Sequence, residues 1–254
     1  MKQRTRTAVF WALGVLAAAI IFSIFLMPFS TGGQQNEITL PERETTDVDV
    51  DVQIKEYNQK IVESIDITKD NVQQVIATLQ RPQQYHYQAE TTYLWNDGSA
   101  VLRTEGWVKP GVSKVVQYSA AGVPEKHTLI SGDTVYIWGQ DADTYFEGNS
   151  GAFNVDDAGY IPTYETILQQ NPENIIGGGF ALYEQTACIY AKTRNPESGY
   201  VEMWYIAVDS GLLVAQESTD SGTPVYAVRI TAWATEQQDS LVYALPGDAG
   251  NMVS

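Results

Sequence analysis

Strict alternation of side-chain character after Pro82 constrains the fold of this chain more than any other feature. From Tyr85 to Trp95, every second residue is aromatic, small or Thr, and the residues between them, such as His86 and Glu90, are mostly polar. Because successive side chains of a β-strand point to opposite faces, this pattern predicts a strand with one buried face. The tripeptide Asn96-Asp97-Gly98, which follows directly, predicts a hairpin turn.

The same rhythm continues towards the C-terminus, where short runs are separated by Gly, Pro, Asn and Asp. Strands joined by such turns form antiparallel meanders. One run, Tyr200–Val208, is apolar on both faces and therefore needs cover on both. The further strands that this rhythm predicts are Val101–Lys109, Val112–Ser119, Glu125–Ile130, Thr134–Gly139, Thr144–Glu147, Phe180–Thr193, Tyr200–Val208, Leu212–Ser218, Val225–Ala234 and Leu241–Leu245.

Helical periodicity precedes and interrupts the predicted sheet. Apolar residues three or four positions apart within Ile54–Ile65 and Val72–Leu79 predict one or two amphipathic helices, with a coiled-coil partner as the alternative. Pro162 and Pro172 each fit the first turn of a short helix. The first of these helices carries Tyr164, Ile167 and Leu168, and the second carries Ile175 and Ile176. The predicted fold class is α+β: a curved antiparallel sheet, an unclosed β-barrel, with short helices in its concave face.

Alternating Asp and Val residues occupy positions 47–52 and raise the possibility of a calcium loop. An EF-hand loop needs Gly at its sixth position and Glu at its twelfth. The residues found there are Val52 and Asn58, so the sequence disfavours calcium. An exposed edge strand or an extended lead-in is the prediction for this segment.

An uncharged apolar run, Ala8 to Met27, lies near the N-terminus and has three basic residues before it. A helix of about 20 residues spans roughly 30 Å, the thickness of the hydrocarbon layer, and basic residues favour the cytoplasmic side. A cleaved signal peptide is the alternative, although Met27–Ser30 offers no small-residue cleavage site. The predicted organisation is a cytoplasmic end (1–7), a single-pass anchor (8–28), a linker (29–50), an extracytoplasmic domain (51–247) and a tail (248–254).

Charge and composition exclude some partners. The chain carries 31 Asp and Glu against 15 Lys and Arg, a formal net charge of −16, and its acidic residues all follow the apolar run. Phosphate recognition needs a basic face, so nucleic acid is excluded as a partner. Cys188 is the single cysteine, so no disulfide within the chain stabilises the predicted domain.

Candidate catalytic groups are few and poorly placed. A nucleophile needs a base within hydrogen-bond reach, which here means Cys188 with His86 or His127, but Cys188 lies mid-strand, where side chains pack. Paired carboxylates at Asp156-Asp157 and at Asp141 and Asp143 fall in turn-rich loops that favour solvated side chains. The sequence therefore predicts that the protein is not an enzyme, has no catalytic residue, and holds no metal or cofactor.

Four segments follow one another in a characteristic order: Asn71–Gln80 running into Tyr85–Trp95, Gly106–Gly111, Leu129–Trp138, and Ile206–Leu213 followed by Val225–Trp233. Their order resembles a known family, and this resemblance covers roughly residues 68–247. The family comprises the bacterial outer-membrane lipoprotein carriers and related periplasmic regulators of extracytoplasmic sigma factors. The resemblance implies an unclosed barrel plugged by short helices, which binds acyl chains or senses envelope components. A membrane tether departs from the family pattern.

Aromatic residues are more numerous than a simple two-layer core requires, which favours an apolar cavity suited to an acyl chain. The function predicted is a membrane-tethered extracytoplasmic module that binds a lipid or lipoprotein acyl moiety. The alternative is a sensory or protein-interaction domain of an envelope complex whose core is filled by its own side chains. The predicted cavity residues are Trp107, Trp138, Tyr164, Ile167, Leu168, Ile175, Ile176, Met203 and Tyr205.

Overall fold

The computed structural model describes residues 50–149, 162–236 and 238–247. The predicted anchor, almost all of the predicted linker, the acidic pair Asp156-Asp157 and the tail lie outside the described residues, so their assignment stays a prediction. Within these ranges, none of the helices combines the length and the apolar character that crossing a bilayer requires.

The described strands form one antiparallel sheet of eleven, in the order β6-β5-β4-β3-β2-β1-β11-β10-β9-β8-β7. Strands β6 and β7 form its two edges, so the sheet is unclosed, which confirms that part of the predicted fold. The strands are β1 (Tyr85–Trp95), β2 (Gly98–Lys109), β3 (Val112–Tyr118), β4 (Pro124–Ser131), β5 (Thr134–Gly139), β6 (Phe146–Asn149), β7 (Ile175–Tyr183), β8 (Thr186–Arg194), β9 (Val201–Ala207), β10 (Leu213–Asp220) and β11 (Thr223–Ala234).

Strand β1 joins the two halves of the sheet, because it pairs with β2 on one side and with β11 on the other. Its alternation holds: Tyr87, Ala89 and Thr91 are buried, whereas Gln88 is exposed. Tyr87 pairs with Gly106 of β2, whose missing side chain leaves room for the tyrosine ring. The buried face predicted from the sequence is therefore confirmed for the middle of the strand, whereas Tyr93 and Trp95 at its C-terminal end are exposed.

Three helices accompany the sheet: α1 (Val50–Ser64), α2 (Val72–Thr78) and α3 (Tyr164–Leu168). Helix α2 buries Val72, Val75 and Ile76 in the largest apolar cluster. Their partners on the sheet include Ile189 and Ala191 of β8 and Trp204 and Ile206 of β9. Helix α3 contributes Ile167 to the same cluster, so short helices do cover one face of the sheet.

Helix α1 is fixed to the chain that follows α2 by Asn58, which is fully buried. The Asn58 side chain donates from Nδ2 to the carbonyl of Gln80 at 2.9 Å and accepts from the Gln80 N–H at 2.7 Å. Because both polar groups of the amide are paired with backbone, its burial costs little.

Several local predictions are wrong. Residues 50–52 form the first turn of α1 rather than an edge strand or an extended lead-in. A 3-10 turn, Ser240–Tyr243, occupies most of the segment predicted as the strand Leu241–Leu245. The segment predicted as one strand, Phe180–Thr193, is the β7–β8 hairpin with its turn at Glu184-Gln185. Pro172 begins only a 3-10 turn, and Ile175 and Ile176 lie in β7.

The glycine triplet Gly177-Gly178-Gly179 lies inside β7, where neighbouring groups approach the strand from both faces. A Cβ on Gly178 would lie 2.8 Å from the Thr68 carbonyl oxygen at the start of α2. A Cβ on Gly179 would lie 2.9 Å from the Tyr190 ring of β8. The triplet therefore permits close packing of α2 and Tyr190 against β7.

A second apolar cluster lies on the β2–β5 half of the sheet. The C-terminal segment covers it, since Tyr243 and Leu245 pack against Leu129 and Trp138. Lys114 fixes this segment by donating from Nζ to the carbonyl of Val242 at 2.6 Å. The chain that follows the last strand thus covers this part of the sheet. No local pattern in that segment indicates this role.

Candidate functional site

A cavity of about 380 Å³ lies between the N-terminal end of α3, strands β1 and β11, and the β9–β10 hairpin. We call it the Tyr164 cavity. Its apolar wall is formed by aromatic and aliphatic side chains, and polar groups from the adjoining turns complete the lining. The residues used below are Tyr85, Tyr164, Leu213, Ile230 and Trp233 on the apolar side, and Glu184, Asp209, Ser210 and Thr231 on the polar side.

Tyr164 is held in place by Arg81, which follows α2. The Arg81 guanidinium lies over the Tyr164 ring at 3.7 Å from its centroid. It also donates hydrogen bonds to the carbonyls of Ile76, Leu79 and Gly211. Arg81 thus caps the C-terminal end of α2, fixes the β9–β10 turn and orients one side of the cavity. Burial lowers the pKa of Arg81.

Gly211 of the β9–β10 turn makes this arrangement possible. Its φ is +68°, which favours glycine, and a Cβ there would lie 2.8 Å from the Gln80 carbonyl oxygen and 2.9 Å from Arg81 Cγ. By its composition, Asp209-Ser210-Gly211 indicates a hairpin turn and nothing more. Its close approach to Arg81 is a tertiary feature.

The carboxylates at the cavity wall have basic partners. Glu184 pairs with Arg229 at 3.3 Å, and Asp209 pairs with Lys55 of α1 at 3.0 Å. Both pairs are exposed, so each contributes little to stability. They do place a compensating positive charge beside each acid, which leaves this part of the wall nearly neutral.

The tyrosines that line the cavity remain protonated at physiological pH. Burial and the nearby Glu165 raise the pKa of Tyr85. Burial and a hydrogen bond with Glu165 raise the pKa of Tyr164 to about 12. Burial also raises the pKa of Tyr87, the third tyrosine of the lining. All three hydroxyls are therefore neutral, and none is a general base near pH 7.

A smaller cavity of about 190 Å³ adjoins the first between α1, Pro82 and Trp233. Asp209, Ser210 and Trp233 line both cavities. Asp51 of α1 accepts a hydrogen bond from the Thr235 hydroxyl at 2.6 Å. Helix α1 therefore forms one side of the smaller cavity, opposite Pro82 and Trp233.

Four of the predicted cavity residues are brought together: Tyr164, Ile167, Leu168 and Ile175 belong to or pack against the cluster around α2. Only Tyr164 lines the cavity itself. Ile167 and Ile175 are almost fully buried at 0% and 5% exposure, so they fill the core rather than border open space.

The other predicted cavity residues lie elsewhere. Trp107 and Trp138 belong to the second cluster beneath the C-terminal segment. Met203 and Tyr205 alternate with Trp204 and Ile206 of β9, so they face away from α2. The centroid of the Tyr205 ring lies 4.5 Å from that of the Tyr183 ring. Ile176 is 41% exposed on the edge strand β7.

Tyr85, Leu213, Ile230 and Trp233 line the cavity but were not among the predicted residues. The sequence indicates Tyr85, Leu213 and Ile230 only as parts of strands, and Trp233 only as one of the surplus aromatic residues. Register shifts in β10 near Leu213 and in the β1–β11 pair near Ile230 mark the same region. Bulges often occur beside functional sites, but they become visible only once pairing is known.

The candidate catalytic groups are occupied by structural contacts. His86 Nε2 lies 2.7 Å from Glu105 Oε1, its ring stacks on Trp107, and the other Glu105 oxygen accepts from Tyr118. His127 stacks on Trp138 at 5.1 Å. Burial and Lys114 lower the pKa of His127, which favours the neutral ring.

Cys188 is fully buried, and its thiol donates to the carbonyl of Thr186 at 3.4 Å. Burial raises the pKa of the Cys188 thiol to about 11. Asp141 lies in a turn with a φ of +54°. In the ranges that the structure describes, no group of three His, Cys, Asp or Glu residues is placed to bind a metal ion.

We expect Cys188 to react with iodoacetamide at least about a hundredfold more slowly in the folded chain than in the unfolded chain at pH 8. The raised pKa leaves about one hundredth of the usual thiolate, and burial excludes the reagent. Mass spectrometry of the modified fraction over time, with and without urea, measures both rates. Equal rates would contradict this assignment of Cys188 as a packed side chain.

No protein-family model matches the chain, and neither does any curated protein. An uncharacterized conserved protein from Thermus thermophilus has a TM-score of 0.46 at 8% identity, over 76% of this chain and 96% of that one. A LolA superfamily protein from Nitrosomonas europaea has a TM-score of 0.35 at 8% identity, over 74% and 97%. A chain of the Pseudomonas aeruginosa MucA/MucB complex has a TM-score of 0.37 at 10% identity, over 72% and 56%. Proteins of the superfamily that the sequence resembles are thus among the structures that match.

Proposed function

We propose that this chain is a binding module that takes up a lipid or lipoprotein acyl chain in the Tyr164 cavity. The observation that carries the proposal is the cavity itself, which the side chains of the surrounding elements leave open. Its volume of about 380 Å³ falls in the range of small-molecule sites, about 300–1,000 Å³.

The chemistry of the wall favours an uncharged, apolar ligand. Tyr85, Leu213 and Ile230 offer ring faces and aliphatic groups, and burying an apolar chain against them gains about 25 cal/mol per Å². Because Glu184 and Asp209 are already ion-paired, a ligand need not bring a cation to neutralise them. The Ser210 hydroxyl in the β9–β10 turn accepts from the Leu212 N–H, so its own proton can be donated to an ester or carboxyl end.

The proposal includes the location and the mode of action. The apolar run Ala8–Met27 tethers the module to the cell membrane, with the folded domain on the extracytoplasmic side. The module is non-enzymatic: it binds and presents its ligand without changing it. A tether of this kind suits capture of acyl chains close to the membrane in which they are anchored.

A photoactivatable fatty acid carrying a diazirine tests the proposal on the full chain reconstituted in nanodiscs. We expect saturable cross-linking whose sites, mapped by mass spectrometry, cluster at the cavity residues, including Tyr164, Leu213 and Trp233. Cross-links confined to residues 8–28 would report lipid around the anchor only. That result would support the alternative function, an envelope interaction domain without a small ligand, and overturn the proposal.

A matched pair of variants makes the test specific. Thr231→Trp places a large ring at the cavity wall, on a residue that is exposed, and should lower cavity cross-linking at least about tenfold. Thr223→Trp introduces the same ring at an exposed position of the same strand outside the cavity lining, and should leave cross-linking unchanged. Equal effects of the two substitutions would count against this location.

A further inference from the structure

The smaller cavity beside α1 is apolar and has room for a short aliphatic group. Its volume is about 190 Å³, and its apolar wall is formed by Val52, Ile54, Pro82 and Trp233. A group the size of a water molecule takes up about 30 Å³, so this space holds about six such groups. The smaller cavity is therefore too small for a whole long acyl chain but large enough for a short apolar arm.

Ser210 lies between the two cavities and carries an unused hydrogen-bond donor. It lines both cavities and is only 3% exposed. Its hydroxyl oxygen accepts from the Leu212 N–H at 3.3 Å, and no described residue accepts the hydroxyl proton. Because buried polar groups are normally paired, a buried donor without an acceptor indicates that a ligand oxygen can lie at this junction.

The charges at the junction favour a neutral acceptor over a carboxylate. Asp209 also lines both cavities, and its carboxylate pairs with Lys55 Nζ at 3.0 Å. A ligand carboxylate beside Ser210 would lie near the Asp209 carboxylate, while Lys55, the cation among the lining residues, is already paired. Burying a charge without a partner is unfavourable, whereas an ester carbonyl accepts the same hydrogen bond without adding charge.

We propose that the bound molecule is a neutral ester that occupies both cavities. Its acyl chain lies in the Tyr164 cavity, its carbonyl oxygen accepts from the Ser210 hydroxyl, and its alcohol part is a short apolar arm in the smaller cavity. An ester has the matching shape, because an apolar arm extends from each side of one polar centre. This inference rests on the proposed function, since it names the class of ligand for the same site.

Two photoactivatable probes locate the arms on the full chain reconstituted in nanodiscs. Both are the butyl ester of hexadecanoic acid, one with a diazirine in the acyl chain and the other with a diazirine in the butyl arm. The acyl-chain probe should label Tyr164 and Leu213, and the butyl-arm probe should label Val52 and Ile54 at least about tenfold more than the acyl-chain probe does. Labelling of the same residues by both probes would overturn the proposal.

A matched pair of substitutions tests the smaller cavity. Val52→Trp places a ring at its wall, on a side chain that is 45% exposed, and should lower labelling by the butyl-arm probe at least about tenfold. Val101→Trp makes the same change on β2, at a side chain that is 52% exposed and outside both linings, and should leave labelling unchanged. Circular dichroism checks the folding of both variants. Equal effects of the two substitutions would contradict the assigned place of the butyl arm.

Competition between ester and acid tests the charge argument. At pH 9, where the acid is ionised, and at equal mole fraction in the nanodisc lipid, butyl hexadecanoate should displace the acyl-chain probe at least about tenfold better than hexadecanoic acid. Asp209→Asn leaves Lys55 free to pair with a carboxylate and should narrow this difference at least about threefold. An acid that competes as well as the ester against the unsubstituted chain would overturn the ester assignment.

Failure of this proposal is distinguishable from failure of the proposed function. If the acyl-chain probe labels the Tyr164 cavity but the butyl-arm probe leaves the smaller cavity unlabelled, the acyl site stands and the ester assignment is wrong. If neither probe labels either cavity, both proposals are wrong.

Discussion

Replacing Arg81 with Met is expected to lower the free energy of unfolding by about 3 kcal/mol. The substitution removes three hydrogen bonds from a charged donor to the carbonyls of Ile76, Leu79 and Gly211, together with the stacking on Tyr164. It also removes the Arg81 donor from the Leu79 carbonyl at the C-terminal end of α2. Urea denaturation followed by tryptophan fluorescence measures the change.

Arg103 provides the matched control. Its side chain is 60% exposed and pairs with Glu90 at 3.1 Å across β1 and β2. Exposed pairs contribute about 0–1 kcal/mol, so Arg103→Met should change stability little. Arg81→Lys should fall close to Arg81→Met, since an ammonium lacks the planar fork that reaches separate carbonyls. Full stability in Arg81→Lys would mean that charge alone acts at this position.

Gly106→Ala is expected to destabilise the fold by about 3 kcal/mol, at the upper end for an added methyl group in a packed core. A Cβ at position 106 would lie 2.2 Å from Cζ of Tyr87, far inside van der Waals contact. Tyr87 is buried and its ring packs in the cluster with Ala89 and Val228, so a shift of the ring away from position 106 loses these contacts. Thermal and urea unfolding of the variant measure the loss.

Two further variants identify the clash as the cause. Gly139→Ala adds the same methyl group to β5, where the nearest heavy atom would be 3.8 Å away, and should be nearly neutral. In a Tyr87→Leu background the shorter side chain should reduce the cost of Gly106→Ala by at least about 1 kcal/mol. If Gly106→Ala costs the same in both backgrounds, glycine is required there for another reason.

Strand positions were predictable because their signal is local. Alternation along Tyr85–Trp95 and Thr134–Gly139 and the turns between strands follow from two-residue periodicity and turn chemistry, which need no distant contact. Helix α2 was likewise visible from the spacing of Val72, Val75 and Ile76. The local errors came where short apolar segments, such as Ile175-Ile176, suit a helix and a strand equally well.

The cavity was less predictable, since its lining comes from segments that lie far apart in the chain. Aromatic content pointed to Trp107 and Trp138, but these pack beneath the C-terminal segment instead. Met203 and Tyr205 were predicted from the two apolar faces of β9, and periodicity does not indicate which of the faces meets α2. Arg81 carried no recognisable motif, although it contacts three separate elements.

The sequence by itself determined the antiparallel class of the sheet, most of its strands, the helix that covers it and the buried face of β1. These follow from periods of two and 3.6 residues, which are properties of the neighbouring chain alone. Only the tertiary structure decided which strands form the edges, which aromatic rings fill the core and where a cavity stays open. Those outcomes depend on pairing register and on long-range contacts such as Arg81 with Gly211, and a side chain's distant neighbours are not encoded in its local pattern.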